Sequence, residues 1–184
     1  FSALALAACG ASNSSDSNAS ASSASTSAKP APSALPSGMG STAGDGEFPR
    51  TVKHFRGETK IESAPKSVVI LSTGQLDDVL ALGLVPIGAA TANDADLVPE
   101  YLKTKFSDKS AELDKIAKVG KRTEPDLGAI ANLHPDLILI NNTNKKEEVY
   151  ESLSKIAPTV VTEGTGHNWK QDFLMIASAL GATS

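Results

Sequence analysis

Between Ser67 and Leu180, short apolar runs without polar alternation are repeatedly followed by a polar turn and then by apolar residues at helical spacing; no other feature restricts the fold as much. Ser67-Val68-Val69-Ile70-Leu71 is the first such run. A β-branched run lacking alternation is what a parallel strand needs when both its faces are covered. Ser72-Thr73-Gly74-Gln75 then leads into Leu76, Val79, Leu80 and Leu82, a helical stripe that stops at Gly83. The unit recurs with a strand over Val85-Pro86-Ile87-Gly88 and a helix opening at Val98-Pro99-Glu100-Tyr101-Leu102. A further strand is predicted over Ala117–Gly120, with a short helix from Asp126 to Leu133. The clearest strand is Asp136–Ile140, ending at Asn141-Asn142-Thr143-Asn144 and followed by an amphipathic helix from Lys146 to Ile156. Thr159-Val160-Val161 and a helix from Trp169 to Leu180 complete the series. Strands alternating with helices in this way predict an α/β fold with a mostly parallel sheet flanked by helices. Ligands of such sheets bind beyond the carboxyl ends of the strands. Candidate function therefore concentrates in the loops Ser72–Gln75, Gly120–Glu124, Asn141–Asn144 and Thr162–Trp169.

Ahead of this series, Thr51–Phe55 and Glu58–Ile61 alternate in polarity around Arg56-Gly57, which predicts an N-terminal β-hairpin. Gly10 to Glu47 is almost entirely Ser, Ala, Gly, Pro, Thr and Asn, with Asp16, Lys29, Asp45 and Glu47 its only charges. Such a stretch buries too little apolar surface to offset the entropy of ordering it, so residues 9–47 are expected to form a tether and residues 48–184 the folded unit. With 17 basic and 21 acidic side chains, the net charge of -4 argues against a strongly basic nucleic-acid binder. No run approaches the roughly 18 apolar residues of a membrane-spanning helix.

The single cysteine excludes a disulfide framework and a multi-cysteine zinc site. Phe1 to Ala8 is an apolar run ending in two small residues, which reads as the remnant of a secretory signal peptide. Leu6-Ala7-Ala8-Cys9-Gly10 resembles the lipobox of bacterial lipoproteins, in which the cysteine becomes the lipidated N-terminus. Acyl chains on Cys9 would hold the protein at the extracytoplasmic face of the cell membrane, and the tether would give it a reach of about 35 Å.

No catalytic motif emerges: there is no G-x-S-x-G, no phosphate-binding glycine loop, no G-x-G-x-x-G and no H-E-x-x-H. Of the three histidines, only His167 falls in a candidate loop. Asp77 and Asp78 stand in a helix first turn, where the dipole favours acids. Lys145-Lys146 before Glu147-Glu148 reads as a solvated helix start. Arg122, in a loop after a predicted strand, fits either a planar donor to an anionic or oxygen-rich ligand or a surface partner of Glu124. Trp169, the only tryptophan, is either a cleft wall or a core anchor for the last helix, its position favouring the core.

In order, Phe48-Pro49-Arg50-Thr51-Val52, Ala64-Pro65-Lys66-Ser67-Val68-Val69, Leu80-Ala81-Leu82-Gly83-Leu84-Val85-Pro86-Ile87-Gly88, Glu124-Pro125-Asp126-Leu127, Pro135-Asp136-Leu137-Ile138-Leu139 and Ile156-Ala157-Pro158-Thr159-Val160-Val161 resemble the N-terminal lobe of the substrate-binding lipoproteins of iron-siderophore ABC importers. These belong to the periplasmic-binding-protein class whose two lobes are joined by one long helix. The resemblance implies that residues 48–184 are one lobe, with the second lobe absent from this chain. It further implies a monomeric, non-enzymatic protein that holds a ferric siderophore between its lobes and hands it to an ABC permease. No intrinsic cofactor and no protein metal ligand are expected, since the siderophore fills the coordination sphere of the iron. Gly120-Lys121-Arg122-Thr123-Glu124-Pro125 is similar to the segment carrying a ligand-contacting arginine, which makes Arg122 the leading ligand-binding residue. Thr73, Gly74, Gln75, Asn141, Asn142 and Trp169 match cleft-edge segments that vary among relatives. Where relatives often carry a permease-docking glutamate, this chain has Gly128, with Glu124 and Asp126 the nearest acids. Few cleft aromatics and a single loop arginine favour a hydroxamate over a catecholate. Haem or cobalamin capture on the same scaffold is the nearest rival, and a secreted α/β hydrolase using Ser72 and His167 a more distant one.

Overall fold

The computed structural model describes residues 34–92, 96–164 and 166–182. Cys9 and the signal-peptide remnant lie outside them. The sheet is built from β3 (Val68–Ile70), β4 (Gly88–Thr91), β5 (Ala117–Lys121), β6 (Glu124–Pro125), β7 (Leu137–Asn141) and β8 (Thr159–Thr162), after a hairpin of β1 (Arg50–His54) and β2 (Gly57–Ile61). In space the strands run β6-β5-β4-β3-β7-β8, all parallel except β6, which is antiparallel to β5. The chain thus builds outward from β3 to β5 and then returns to place β7 on the other side of β3. That reversal leaves the loops after β3 and β7 diverging, the arrangement that opens a ligand crevice in parallel sheets.

The lack of alternation in the strands has a direct cause. Successive residues of β3 enter two different cores: Val68 and Ile70 pack with Leu137, Leu139, Met175 and Ile176, while Val69 packs with Ile138, Ile140, Ile130 and Leu153. Helices α1 (Gln75–Ala81) and α6 (Trp169–Leu180) supply the first layer. Helices α4 (Leu127–Asn132) and α5 (Glu147–Ile156) supply the second. Each side chain fully buried in this way contributes about 1.5–3 kcal/mol relative to exposure. Two short helices, α2 (Glu100–Lys105) and α3 (Ser110–Leu113), occupy the β4–β5 connection and place Leu102 and Leu113 in the first layer.

Three expectations are corrected. The second strand begins at Gly88, not Val85, because Pro86 has no N–H to donate and the paired segment continues into Ala89-Ala90-Thr91. The predicted loop Gly120–Glu124 is a tight antiparallel hairpin, with Lys121 opposite Glu124 and Arg122-Thr123 at its tip. The folded unit also starts before Phe48. Gly40 and Lys53 exchange backbone hydrogen bonds of 2.8 and 3.0 Å, and Leu35 and Met39 pack on the first core. Buried Arg50 fastens this segment to α6, donating from Nη1 to the Ser178 carbonyl at 2.7 Å and from Nη2 to those of Gly44 and Glu47 at 2.5 and 2.9 Å. Composition misses this because the segment is held by its backbone, the Ser41 N–H donating to Ser178 Oγ 137 residues away. Among the described residues, no helix is long and apolar enough to cross a membrane.

Candidate functional site

A cleft of about 520 Å³ opens at the carboxyl edge where the strand order reverses, bordered by Thr73, Gly74 and Gln75 after β3, Arg122 at the β5–β6 tip, Asn141 at the end of β7, Thr143 just beyond it, and Trp169 on α6. Six of the seven expected ligand residues therefore meet at one place. Asn142 does not. Its side-chain Oδ1 accepts a 3.3 Å hydrogen bond from Arg56 Nε, which turns it towards the β1–β2 hairpin.

The cleft floor is fixed by bonds that the sequence does not announce. Buried Ser72 accepts from the Asn141 N–H through Oγ at 2.9 Å, linking the loops after β3 and β7. Gln75 Oε1 accepts from the Ser72 N–H at 3.1 Å, and Gln75 is buried, so its amide braces the loop. Asn141 Oδ1 accepts from the Thr143 N–H at 3.2 Å and from the Thr143 hydroxyl. Ser72 is thus buried beneath the cleft and committed to a structural bond. Trp169, by contrast, is 56% exposed at the rim, so the expectation of a core anchor is corrected: α6 buries Met175 and Ile176 and leaves its first residue to the cleft. Arg122 is half-buried and held by its backbone, its N–H donating to the Thr91 carbonyl at 3.0 Å.

Three acids also border the cleft, Asp77, Asp78 and Asp172. Asp172 accepts from the N–H groups of Glu163 and Gly164 at 2.9 and 3.0 Å, tying down the β8–α6 loop. Burial pushes its carboxyl up to about 6, the two N–H groups opposing the shift. Asp78 is likewise raised: burial, with Asp172 and Asp77 nearby, pushes it up to about 7. The acidic wall therefore carries less than its formal charge at neutral pH. Asp77 accepts a 2.6 Å hydrogen bond from the exposed Tyr101 hydroxyl, which is thereby pushed up to about 12. His54 is buried, and burial pushes it down to about 4. Its Nδ1 accepts from the Arg56 N–H at 3.2 Å and its Nε2 faces the Thr59 hydroxyl at 2.9 Å, a structural arrangement. No group of three or more His, Cys, Asp or Glu residues among those described is placed to hold a metal.

The functional residue most hidden in the sequence is Arg56, the hairpin turn residue. Its guanidinium donates to the Asn142 side chain, to the Asn144 carbonyl and, at 3.2 Å, to Glu147 Oε2, and it lies 5.6 Å from the centre of the Tyr150 ring. This fork clamps the whole β7–α5 loop from behind. Replacing Arg56 by alanine is expected to speed amide hydrogen exchange across residues 142–146 by about tenfold, with a smaller effect on β3. Arg56→Lys should not restore protection, since an ammonium cannot span the same acceptors. Unchanged exchange in that loop would overturn the assignment.

The family model described as "Periplasmic binding protein" matches residues 68–184. The probable siderophore-binding lipoprotein YfiY of Bacillus subtilis is 39% identical over 132 residues, covering 71% of this chain and 38% of that protein. The petrobactin-binding protein YclQ of the same organism is 38% identical over 133 residues, covering 71% of this chain and 39% of its own length. This chain thus spans less than half the length of these curated relatives. Staphylococcus aureus SirA, solved in complex with staphyloferrin B, superposes with a TM-score of 0.63 at 36% identity over 72% of this chain and 42% of that one.

Proposed function

This chain belongs to the periplasmic binding protein family, and from that premise we propose that it is one lobe of an extracytoplasmic receptor that captures a ferric siderophore and delivers it to an ABC importer. Relatives of this family are named as binding proteins, and two of them as lipoproteins. Cys9 carries the lipid, and the Ser/Ala-rich tether lets the lobe move over the membrane. The observation that carries the reading is the convergence of Arg122, Asn141, Thr143 and Trp169 on one open cleft at the point of strand-order reversal. The cleft offers planar and amide hydrogen-bond donors, an aromatic wall and no metal-binding cluster among the described residues. Such a surface suits an iron complex whose coordination is already complete. A second lobe closes over it and supplies the remaining contacts.

Titration of the full-length protein by calorimetry and by quenching of Trp169 fluorescence tests this. Ferric siderophores of at least one class are expected to bind in the micromolar range or tighter. Truncating Arg122 to alanine should weaken that binding by about tenfold, the loss of one charge-assisted donor. Binding of haem or cobalamin with no response to any ferric siderophore would overturn the proposal.

A further inference from the structure

The end of α6 remote from the cleft is covered on every side. Met175, Ile176, Ala177, Ser178 and Ala179 are all buried, and five consecutive residues exceed one helical turn, so no face of that turn meets solvent. The elements β8, β1 and α1 lie against the helix, and the segment ahead of β1 adds further cover, with Leu35, Met39 and Phe48 packed on the same core. The Ser41 N–H donates to Ser178 Oγ at 2.7 Å, and Gly40 approaches so closely that an added Cβ would lie 3.1 Å from that oxygen.

The polar contacts of this segment converge on the turn that ends the helix. Gly181 closes α6 in the left-handed region, φ +75°, and the Ala182 N–H returns to the Ala177 carbonyl at 2.9 Å. The Gly46 N–H donates to the Gly181 carbonyl at 2.9 Å. A Cβ on Gly181 would lie 3.0 Å from the Phe48 ring and 3.1 Å from Arg50 Nη2. Arg50 holds both parties, with Nη1 on the Ser178 carbonyl at 2.7 Å and Nε on the Glu47 carbonyl at 3.0 Å. Its planar fork is 2% exposed, so either segment moving alone would strand a buried charged donor.

We propose that residues 40–50 clasp the Gly181 turn as a fixed pivot, and that this clasp sets the spacing of the two lobes in the ligand-free receptor. This deepens the siderophore-receptor reading and rests on it, since there the chain passes from α6 towards the second lobe. Hinges are loop or element-terminal residues that absorb a change in φ and ψ. Gly181 has the freedom for that role, and the clasp withholds it by bonding its carbonyl and packing both Phe48 and Arg50 against its Cα. Ser178 stands nine residues after Trp169, about 13 Å along the helix axis, so the clasp acts on the lobes without touching the cleft.

Spin labels on Glu151→Cys, exposed on α5, and on the outer face of the second lobe report the interlobe distance in the ligand-free full-length protein, in a Cys9→Ser background. Arg50→Lys is expected to speed amide exchange over residues 40–46 at least tenfold and to make the distance distribution about twice as wide. Arg50 is buried and its loss threatens folding, so Gly40→Ala gives the second variant: at φ +81° its Cβ would lie 2.8 Å from Leu35 Cδ1 and 3.1 Å from Ser178 Oγ, which lifts the clasp and leaves the Arg50 fork in place. The same two changes are expected. Gly83→Ala, a left-handed glycine at φ +85° outside the clasp, controls for a general loss of stability and should keep the parental distances. A Gly40→Ala protein whose clasp exchanges tenfold faster at unaltered distances would overturn the pivot, as would equal widening in Gly83→Ala. A parent protein that binds no ferric siderophore would overturn the functional reading alone, since the distances are measured without ligand.

Discussion

Replacing Gly120 by alanine is expected to lower the melting temperature by roughly 5–15 °C and to weaken ligand binding in the molecules that remain folded. Gly120 sits in β5 with φ +90°, and a Cβ there would lie 2.7 Å from the Asp126 backbone nitrogen and 2.8 Å from the Glu124 carbonyl oxygen. Both neighbours are main chain, so no side-chain rotation relieves the clash. Strain in the left-handed region costs about 1–2 kcal/mol and forced repacking about 1–3 kcal/mol more. The displaced atoms matter for function. The Asp126 N–H donates to the Val119 carbonyl at 2.9 Å, and its carboxylate caps α4 by accepting from the Ala129 N–H at 2.9 Å. Pushing β6 away opens the hairpin whose tip is Arg122. Gly128→Ala provides the contrast: it lies within α4, where the nearest atom to an added Cβ is Asp126 Oδ1 at 3.4 Å. Helix propensity predicts stabilisation there by about 0.5–1 kcal/mol. Thermal unfolding of the two variants side by side checks the pair, and a Gly120→Ala melting point within about 2 °C of the parent would refute the account.

The order of elements was legible because the strands at the centre of the sheet are buried on both faces, and that condition writes an uninterrupted apolar run into the sequence. Val68–Ile70 and Leu137–Asn141 carry it plainly. Gly88–Thr91 does not, since a strand of Gly, Ala, Ala and Thr offers no contrast with a loop. The site divides in the same way. Its loops follow from the rule that ligands bind at the carboxyl edge of parallel sheets, which is why Thr73, Gly74, Gln75, Arg122, Asn141 and Trp169 meet. What could not be read were the residues whose roles depend on direction. Asn142 and Asn141 are neighbours, yet one faces the hairpin and the other the cleft. Arg56 acts on a loop 86 to 91 positions away. Lys145 and Lys146 line a cavity together with Arg122, more than 20 positions earlier in the chain. Side-chain direction and long-range juxtaposition are set by the packed sheet, and no local pattern encodes them.

The cleft acids supply the other large effect, and its sign is set by burial. Asp78 is raised from its ordinary 3.8 to about 7, so between these values the folded protein binds a proton that the unfolded chain has released. Stability from this group is therefore fully present below pH 4 and is lost as pH rises towards 7. Asp78→Asn, which cannot ionise, should be about 2 kcal/mol more stable than the parent at pH 8, a figure discounted for the partial exposure of the carboxyl, and indistinguishable from it near pH 4. The gap between the two melting curves should open across pH 4–7. Asp172→Asn is expected to behave otherwise, although Asp172 is also raised, to about 6. Its two oxygens each accept a backbone N–H from the β8–α6 loop, and an amide can accept only one of them. The amide nitrogen would then face the remaining N–H, a repulsion that offsets the relief of charge and loosens the rim carrying Trp169. Thermal unfolding of both variants at pH 4.5 and pH 8 separates these cases: a stabilised Asp172→Asn would mean that the loop does not depend on the bidentate carboxylate. A destabilised Asp78→Asn at pH 8 would mean that the carboxylate is stabilised by a partner in the folded protein, and that the acidic wall of the cleft is fully charged when ligand arrives.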